Sequence, residues 1–176
     1  MLTNRQIEIA REKTIEALEK ARIILTDEEK ANIEVADFGL GELESTGLQI
    51  ITYVNTERCC AKELVLFPHQ TCPEHRHPDI SGVPGKEETF RCRSGEIYLY
   101  VDGEATPEPK AKAPKGRESA YTVWHEIHLL PGQQYTLAPN TLHWFQASSH
   151  GAIVSEFSTK SRDEADIFTD TQIRRV

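Results

Sequence analysis

The chain has 176 residues, 38% of them hydrophobic and 27% charged, with a formal net charge of −8. That length supports one domain with a full core and falls short of two ordinary ones. The acidic balance argues against nucleic acid or an anionic membrane as partner, since both call for a basic face. No apolar run approaches the roughly 20 residues of a membrane span. Met-Leu-Thr-Asn-Arg leads straight into charged sequence with no apolar signal core, so a cytoplasmic location is expected. Cys59, Cys60, Cys72 and Cys92 contain no CxxC pair and read as thiols in a reducing compartment.

Thr3-Asn-Arg-Gln6 has the form of a capping box and predicts a helix start. Ile7, Ala10, Thr14, Leu18, Ala21 and Leu25 follow at spacings of three and four, a narrow apolar stripe. Thr26-Asp-Glu-Glu29 predicts a second, short helix running towards Ile33. Both helices are polar elsewhere, so they are expected to lie over a sheet or cover its edge. From Phe38-Gly-Leu-Gly41 onwards the period changes to two. Leu48 to Val54 is apolar on both faces, and Lys62 to Phe67 predicts another strand. Ile97 to Val101 alternates before the Asp102-Gly103 turn. Residues 104–118, with Pro107, Pro109, Pro114 and several lysines, read as a solvent-exposed loop with no role in the core. Tyr121 to Leu129 predicts a long strand, Gln134 to Leu137 a short one, and Ala152 to Ser158 a last long one after the His143 strand. Many short strands behind two helices predict a mainly β barrel or sandwich, one domain over 1–176, with helices in 1–35 and the barrel in 40–170.

The chemistry gathers in the stretch from Cys72 to Gly95. On an extended segment His75 and His77 point the same way, half a metal site. Further on, Glu88, Phe90 and Cys92 share one face, while Thr89, Arg91 and Arg93 share the other. The arginines belong in water, so Glu88 is expected to face inwards, with Glu87 the alternative if the register slips by one. The strand at His143 and Phe145 supplies a third imidazole. Three neutral histidines and one carboxylate suit Mn²⁺, Fe²⁺, Co²⁺ or Zn²⁺, and ligand type alone does not choose among them. Glu156 sits with Val154 and Ser158 on a core-like face, where a carboxylate has either a task or a partner. Lys62 shares a face with Leu64 and Leu66, and Lys86 points to the same side as Glu88. Asp166 follows Arg162-Asp-Glu-Ala and reads as a loop or cap residue. His125 and His128 fall on opposite faces of one strand and are set aside, as is Cys72. Trp124 and Trp144 are read as wall or interface residues.

His75-x-His77, followed by Glu88-x6-Gly95, resembles the first motif of the cupin superfamily, and Pro139-Asn140-x2-His143 resembles part of the second. The eleven positions from His77 to Glu88 exceed the usual spacer. That insertion resembles the D-lyxose isomerase family. So do Lys62-Glu-Leu-Val-Leu-Phe, Pro73-Glu-His-Arg-His-Pro, Tyr121-Thr-Val-Trp-His-Glu-Ile, Pro139-Asn-Thr-Leu-His-Trp-Phe and Asp166-Ile-Phe-Thr-Asp170. The resemblance implies a cupin, that is a double-stranded β-helix or jelly-roll barrel with N-terminal helices. It also implies a manganese-dependent isomerase that interconverts D-lyxose and D-xylulose, with D-mannose and D-fructose as a second pair. Its metal ligands match His75, His77, Glu88 and His143, and its polar pocket residues match Lys62, Lys86, Glu156 and Asp166. Glu156 is then the expected acid/base, with Lys86 beside it and Lys62 and Asp166 on the sugar. A homodimer is expected, with the apolar Leu48–Val54 strand as a possible contact. The competing readings are a cupin dioxygenase or oxidase with the same metal set, and a cupin that binds sugar without turnover.

Overall fold

The computed structural model describes residues 2–174. Both capping boxes form. Helix α1 (Asn4–Lys20) starts at Thr3, whose hydroxyl accepts from the Gln6 amide, and α2 (Asp27–Ala31) starts at Thr26 in the same way. The α1 stripe buries Ala10, Thr14 and Leu18. Leu25 lies beyond the helix but packs into the same layer, with Leu18, Ile33, Ile51, Val65 and Ile153. The helices therefore cover the outer face of a sheet, as their narrow stripe implied. No helix among the described residues is long and apolar enough to cross a membrane.

Among the described residues nine strands form one curled, antiparallel sheet: β1 (Glu34–Ala36), β2 (Leu48–Asn55), β3 (Cys60–Leu66), β4 (Thr71–Arg76), β5 (Glu88–Val101), β6 (His125–Leu129), β7 (Gln134–Leu137), β8 (His143–Ser158) and β9 (Ile167–Phe168). Its spine is the ribbon of β5 and β8, paired from Glu88 with Ser158 to Val101 with His143. The second half of β8 pairs with β3 and the first half with β4, so one strand carries both leaves of the barrel. The expected separate strands around Cys92 and Ile97, and around His143 and Ile153, are thus two long continuous ones. They bend where the β5–β8 register slips, between Cys92 and Ser94 and between Gly95 and Ile97. Gly95 (φ 72°) must be glycine there: a Cβ would lie 2.0 Å from the Gly151 carbonyl oxygen.

Inward residues from both leaves form the main core, among them Leu64, Leu66, Phe90, Cys92, Leu99, Phe145 and Val154. A third cluster packs on the other face of the β5–β8 ribbon, where Tyr100 stacks on Trp144 at 4.1 Å between ring centroids. Such a pair adds about 0.5–1.5 kcal/mol beyond its buried area. Trp144 is fully buried here, so it is a core residue and not a wall or interface residue. Two further expectations fail in this region. The 104–118 segment is not free of the core: Ala111 is buried against the aromatic cluster, and its amide donates to the Tyr100 hydroxyl. The strand expected from Tyr121 pairs only from His125, because the Thr122 and Val123 amides donate to the Glu74 carboxylate instead of to a ladder.

Candidate metal centre and active site

The fold brings His75, His77 and His143 together. His75 on β4 and His143 on β8 are cross-strand partners, with ring centroids 4.3 Å apart, and His77 follows just past the end of β4. One ligating atom from each of the three lies within 4.8 Å of the others. Each ring is fixed through its Nδ1. Those of His75 and His143 lie 2.8 and 2.9 Å from the carbonyl oxygens of Pro73 and Thr141. A carbonyl can only accept, so Nδ1 carries the proton and Nε2 presents a lone pair inwards. The Nδ1 of His77 lies 2.5 Å from Asp166 Oδ1. A carbonyl or carboxylate behind each imidazole is the arrangement that orients metal-bound histidines.

Glu88, the first residue of β5, is 1% exposed and faces inwards, whereas Glu87 is exposed. Glu88 Oε1 lies 3.0 Å from His77 Nε2 and 3.1 Å from His143 Nε2. His143 Nε2 is buried 3.1 Å from that carboxylate oxygen, and in the neutral ring it presents a lone pair there. Two acceptors so placed call for a positive centre between them. The charges agree: Lys62 and Lys86 face Glu88, Glu156, Asp163 and Asp166 around one cavity, leaving two negative charges in excess when the histidines are neutral. The donor set therefore fits a divalent ion held by His75, His77, Glu88 and His143.

Titration follows from the same contacts. Burial, reinforced by His143 and His77, holds His75 well below the usual histidine value. Burial opposes charge on His77 too, but Glu88 and Asp166 outweigh it and raise its pKa to about 9. Glu88 is held well below the usual carboxylate value: burial works against its charge, and Lys86 and His77 overcome it. Lys86 donates to Glu88 Oε2 at 2.7 Å and to Glu156 Oε1 at 3.0 Å. Burial disfavours its charge, yet Glu156, Glu88 and Asp163 keep its pKa well above the usual lysine value. It is an ammonium donor, not a base.

Glu156 on β8 and Lys62 on β3 are cross-strand partners facing the cavity. Lys62 donates to Ser161 Oγ at 2.9 Å and to Asp163 Oδ2 at 2.8 Å. All eight residues singled out in the sequence thus line or adjoin one cavity. Asp166 does so with its carboxylate engaged by a histidine. Asp163, Ser161, Phe38 and Phe168 were missed. Phe168 stands inside the Asp166–Asp170 motif, and Phe38 stands where the period changes to two, but nothing local marked Ser161 or Asp163. His125 and His128 bind Glu104 and Glu96 elsewhere, in keeping with their being set aside.

The site is thus a set of three histidines and a glutamate on the inner face of a curled β barrel, flanked by a second buried carboxylate. The backbone supports the fold. It superposes on L-ribose isomerase from Acinetobacter sp. DL28 with a TM-score of 0.84 at 16% identity, covering 98% of this chain and 94% of that one. L-ribose isomerase from Cellulomonas parahominis gives 0.82 at 18%, covering 97% and 94%. Residues 11–176 match the family described as D-lyxose isomerase, and the chain belongs to that family. It is 66% identical over 176 residues to the D-lyxose/D-mannose isomerase of Thermosediminibacter oceani, covering 100% of this chain and 97% of that one. It is 62% identical to the D-lyxose ketol-isomerase of Thermofilum sp. (strain ex4484_79), covering 100% and 98%.

Proposed function

We propose that this protein, a single cupin domain, interconverts D-lyxose and D-xylulose, and D-mannose and D-fructose, by moving a proton between C1 and C2 through a cis-enediol. The observation that carries the reading is Glu156. It is a buried carboxylate without a structural hub of backbone donors, held beside Lys86 in the same cavity as His75, His77 and Glu88. His75, His77, Glu88 and His143 would hold the ion, which we take to be Mn²⁺. When bound, it supplies Lewis acidity that makes the proton next to the sugar carbonyl removable.

The chain's own residues do the rest. Glu156 takes the proton from one carbon and returns it to its neighbour. Lys86, held as an ammonium, donates to oxygen as negative charge develops on the enediol. Lys62, fixed by Asp163 and Ser161, contributes a second donor to the polar wall. We place the enzyme in the cytoplasm as a homodimer. Tyr53, Val54 and Phe157, exposed on β2 and β8, offer apolar surface for that contact.

The test is isomerisation in D₂O under anaerobic conditions, which an oxygenase could not sustain. Turnover of D-lyxose with carbon-bound deuterium in the product supports the reading. Glu156→Gln should lose about 100-fold or more in kcat while keeping its metal, in line with the usual contribution of a general base. Near-normal turnover in that variant removes Glu156 as the base. Sugar binding without turnover in the wild-type protein removes the enzyme.

A further inference from the structure

Phe38 occupies a backbone conformation that its side chain does not favour. Six described non-glycine residues have φ in the left-handed region, and five of them, Arg22, His69, Ser81, Glu108 and Asn140, are exposed. Phe38, at φ 55°, is the buried one, 3% exposed. Such a conformation costs about 1–3 kcal/mol and persists only where its surroundings impose it. They do so here. The Asp37 carboxylate accepts from the Gly39 and Gly41 amides at 3.0 and 3.2 Å, and the Phe38 carbonyl accepts from the Arg174 amide at 2.9 Å.

The strain places a ring at the seam of the barrel. β1 and β9 are the two ends of the strand order, and Phe38 follows β1. Its ring meets Phe168 of β9 at 5.5 Å between centroids, and Phe168 stacks on His75 at 5.4 Å. Both phenylalanines line the cavity. Apart from the aliphatic Leu48, Ile50 and Leu64, the cavity is committed elsewhere. Phe90 and Phe145 fill the space beneath His143, with centroids 5.0 Å apart. Lys62, Lys86, Glu88 and Glu156 are tied to one another or to Ser161 and Asp163. A sugar with C1 and C2 at the histidines and Glu156 has the aromatic seam left for its remaining carbons, whose C–H faces suit aromatic rings.

We infer that Phe38 is a specificity-determining residue that sets the room for the substituent on C5. The inference rests on the sugar-isomerase reading above. D-mannose has the C2 to C4 configuration of D-lyxose with a hydroxymethyl group in place of one hydrogen on C5, so the pentose and the hexose differ only at the end that meets the seam.

The test compares kcat/KM for D-lyxose and D-mannose in the Mn²⁺-loaded full chain, in wild type, Phe38→Leu and Phe38→Trp. It adds inhibition constants for xylitol and mannitol, which bind without reacting. Phe38→Leu should raise the hexose-to-pentose ratio roughly 10-fold, the low end of the scale on which a pocket senses one carbon. Phe38→Trp should lower it. Both changes should fall mainly in KM, with the polyol constants moving in the same sense. A ratio within about two-fold of wild type in a folded variant of either kind overturns the inference. Each variant is informative alone if the other fails to fold. A wild-type protein that turns over neither sugar sinks the isomerase reading, and with it the premise of this one.

Discussion

Glu74 and Glu88 are both 1% exposed carboxylates, yet they are different kinds of residue. Glu74 on β4 accepts from the Thr122 amide and hydroxyl, the Val123 amide and the Thr169 hydroxyl. Every donor is a fixed backbone or hydroxyl group, and together they pin the 121–123 segment and the C-terminal region to β4. Glu88 has no such donors. Its neighbours are His77, His143 and Lys86, groups that can exchange protons or turn to a ligand. Burial alone does not separate a structural carboxylate from a reactive one; the chemistry of its partners does.

The sharpest way to break this comparison is to neutralise each carboxylate. Glu88→Gln should lose metal and reduce activity by more than the 10- to 100-fold typical of groups one layer out from a metal, with a melting temperature near that of wild type. Glu74→Gln should instead cost about 2–4 kcal/mol, because its amide turns hydrogens towards buried donors. At this chain length that lowers Tm by roughly 4–16 °C, since 1 kcal/mol moves Tm by about 2–4 °C. The folded fraction should still bind metal. Elemental analysis and calorimetry decide it, and a Glu74→Gln protein that keeps its Tm but loses its metal would reverse the assignment.

The inward direction of Glu88 was legible in the sequence and the anchoring contacts of Glu74 were not, for a physical reason. His75, His77 and Glu88 sit on strands whose alternation can be read locally, and their inward direction follows from where Arg91 and Arg93 must go. The partners of Glu74 lie 48 and 95 residues away, on segments with no regular period. Asp166 reaches His77 across 89 residues, so its residue type was visible but its partner was not. The same holds for Lys62, whose buried lysine on an apolar face was a clear anomaly while Asp163, which answers it, was silent. Strand pairing beyond the local turn also escaped, so β5 and β8 looked like four strands.

The next effect is one of protons. In the metal-free chain His77 has a pKa of about 9, above its unfolded value of about 6.5. Its pairing with Glu88 and Asp166 therefore contributes stability that is complete below about pH 6.5 and fades as the pH rises through 9. A metal ion must displace that proton. Metal affinity should thus rise with pH up to about 9, by at most about ten-fold per unit for one proton. Metal added to a weakly buffered solution at pH 7.5 should release close to one proton per site. No release would place the His77 proton elsewhere. Asp166→Asn should weaken metal binding by roughly 10-fold, while leaving the xylitol inhibition constant of the loaded enzyme less affected. The opposite pattern would make Asp166 a sugar contact after all.

Glu63 offers the smallest effect and a third case between the other two. It lies on β3 one residue from Lys62, facing the outer side of the sheet, and is 5% exposed. Ser155 donates to its Oε1 at 2.6 Å and accepts from Arg93 at 3.3 Å, but Oε2 is buried without a hydrogen-bond partner. It has neither the fixed donors of Glu74 nor the cations of Glu88. Burial accordingly raises its pKa, against the pull of Ser155 and Arg93. A carboxyl raised above its unfolded value binds its proton more tightly when folded, so its contribution to stability is greatest below about pH 4.3 and is lost as the pH rises through its folded value. Glu63→Gln removes that loss. The variant should match wild type near pH 4 and gain about 1 kcal/mol, or roughly 2–4 °C in Tm, by neutral pH. Activity should not change, since the side chain faces away from the cavity. Melting curves from pH 4 to 8 check the sign: a difference that shrinks or reverses as the pH rises would mean that Glu63 has a charged partner in solution and belongs with Glu88.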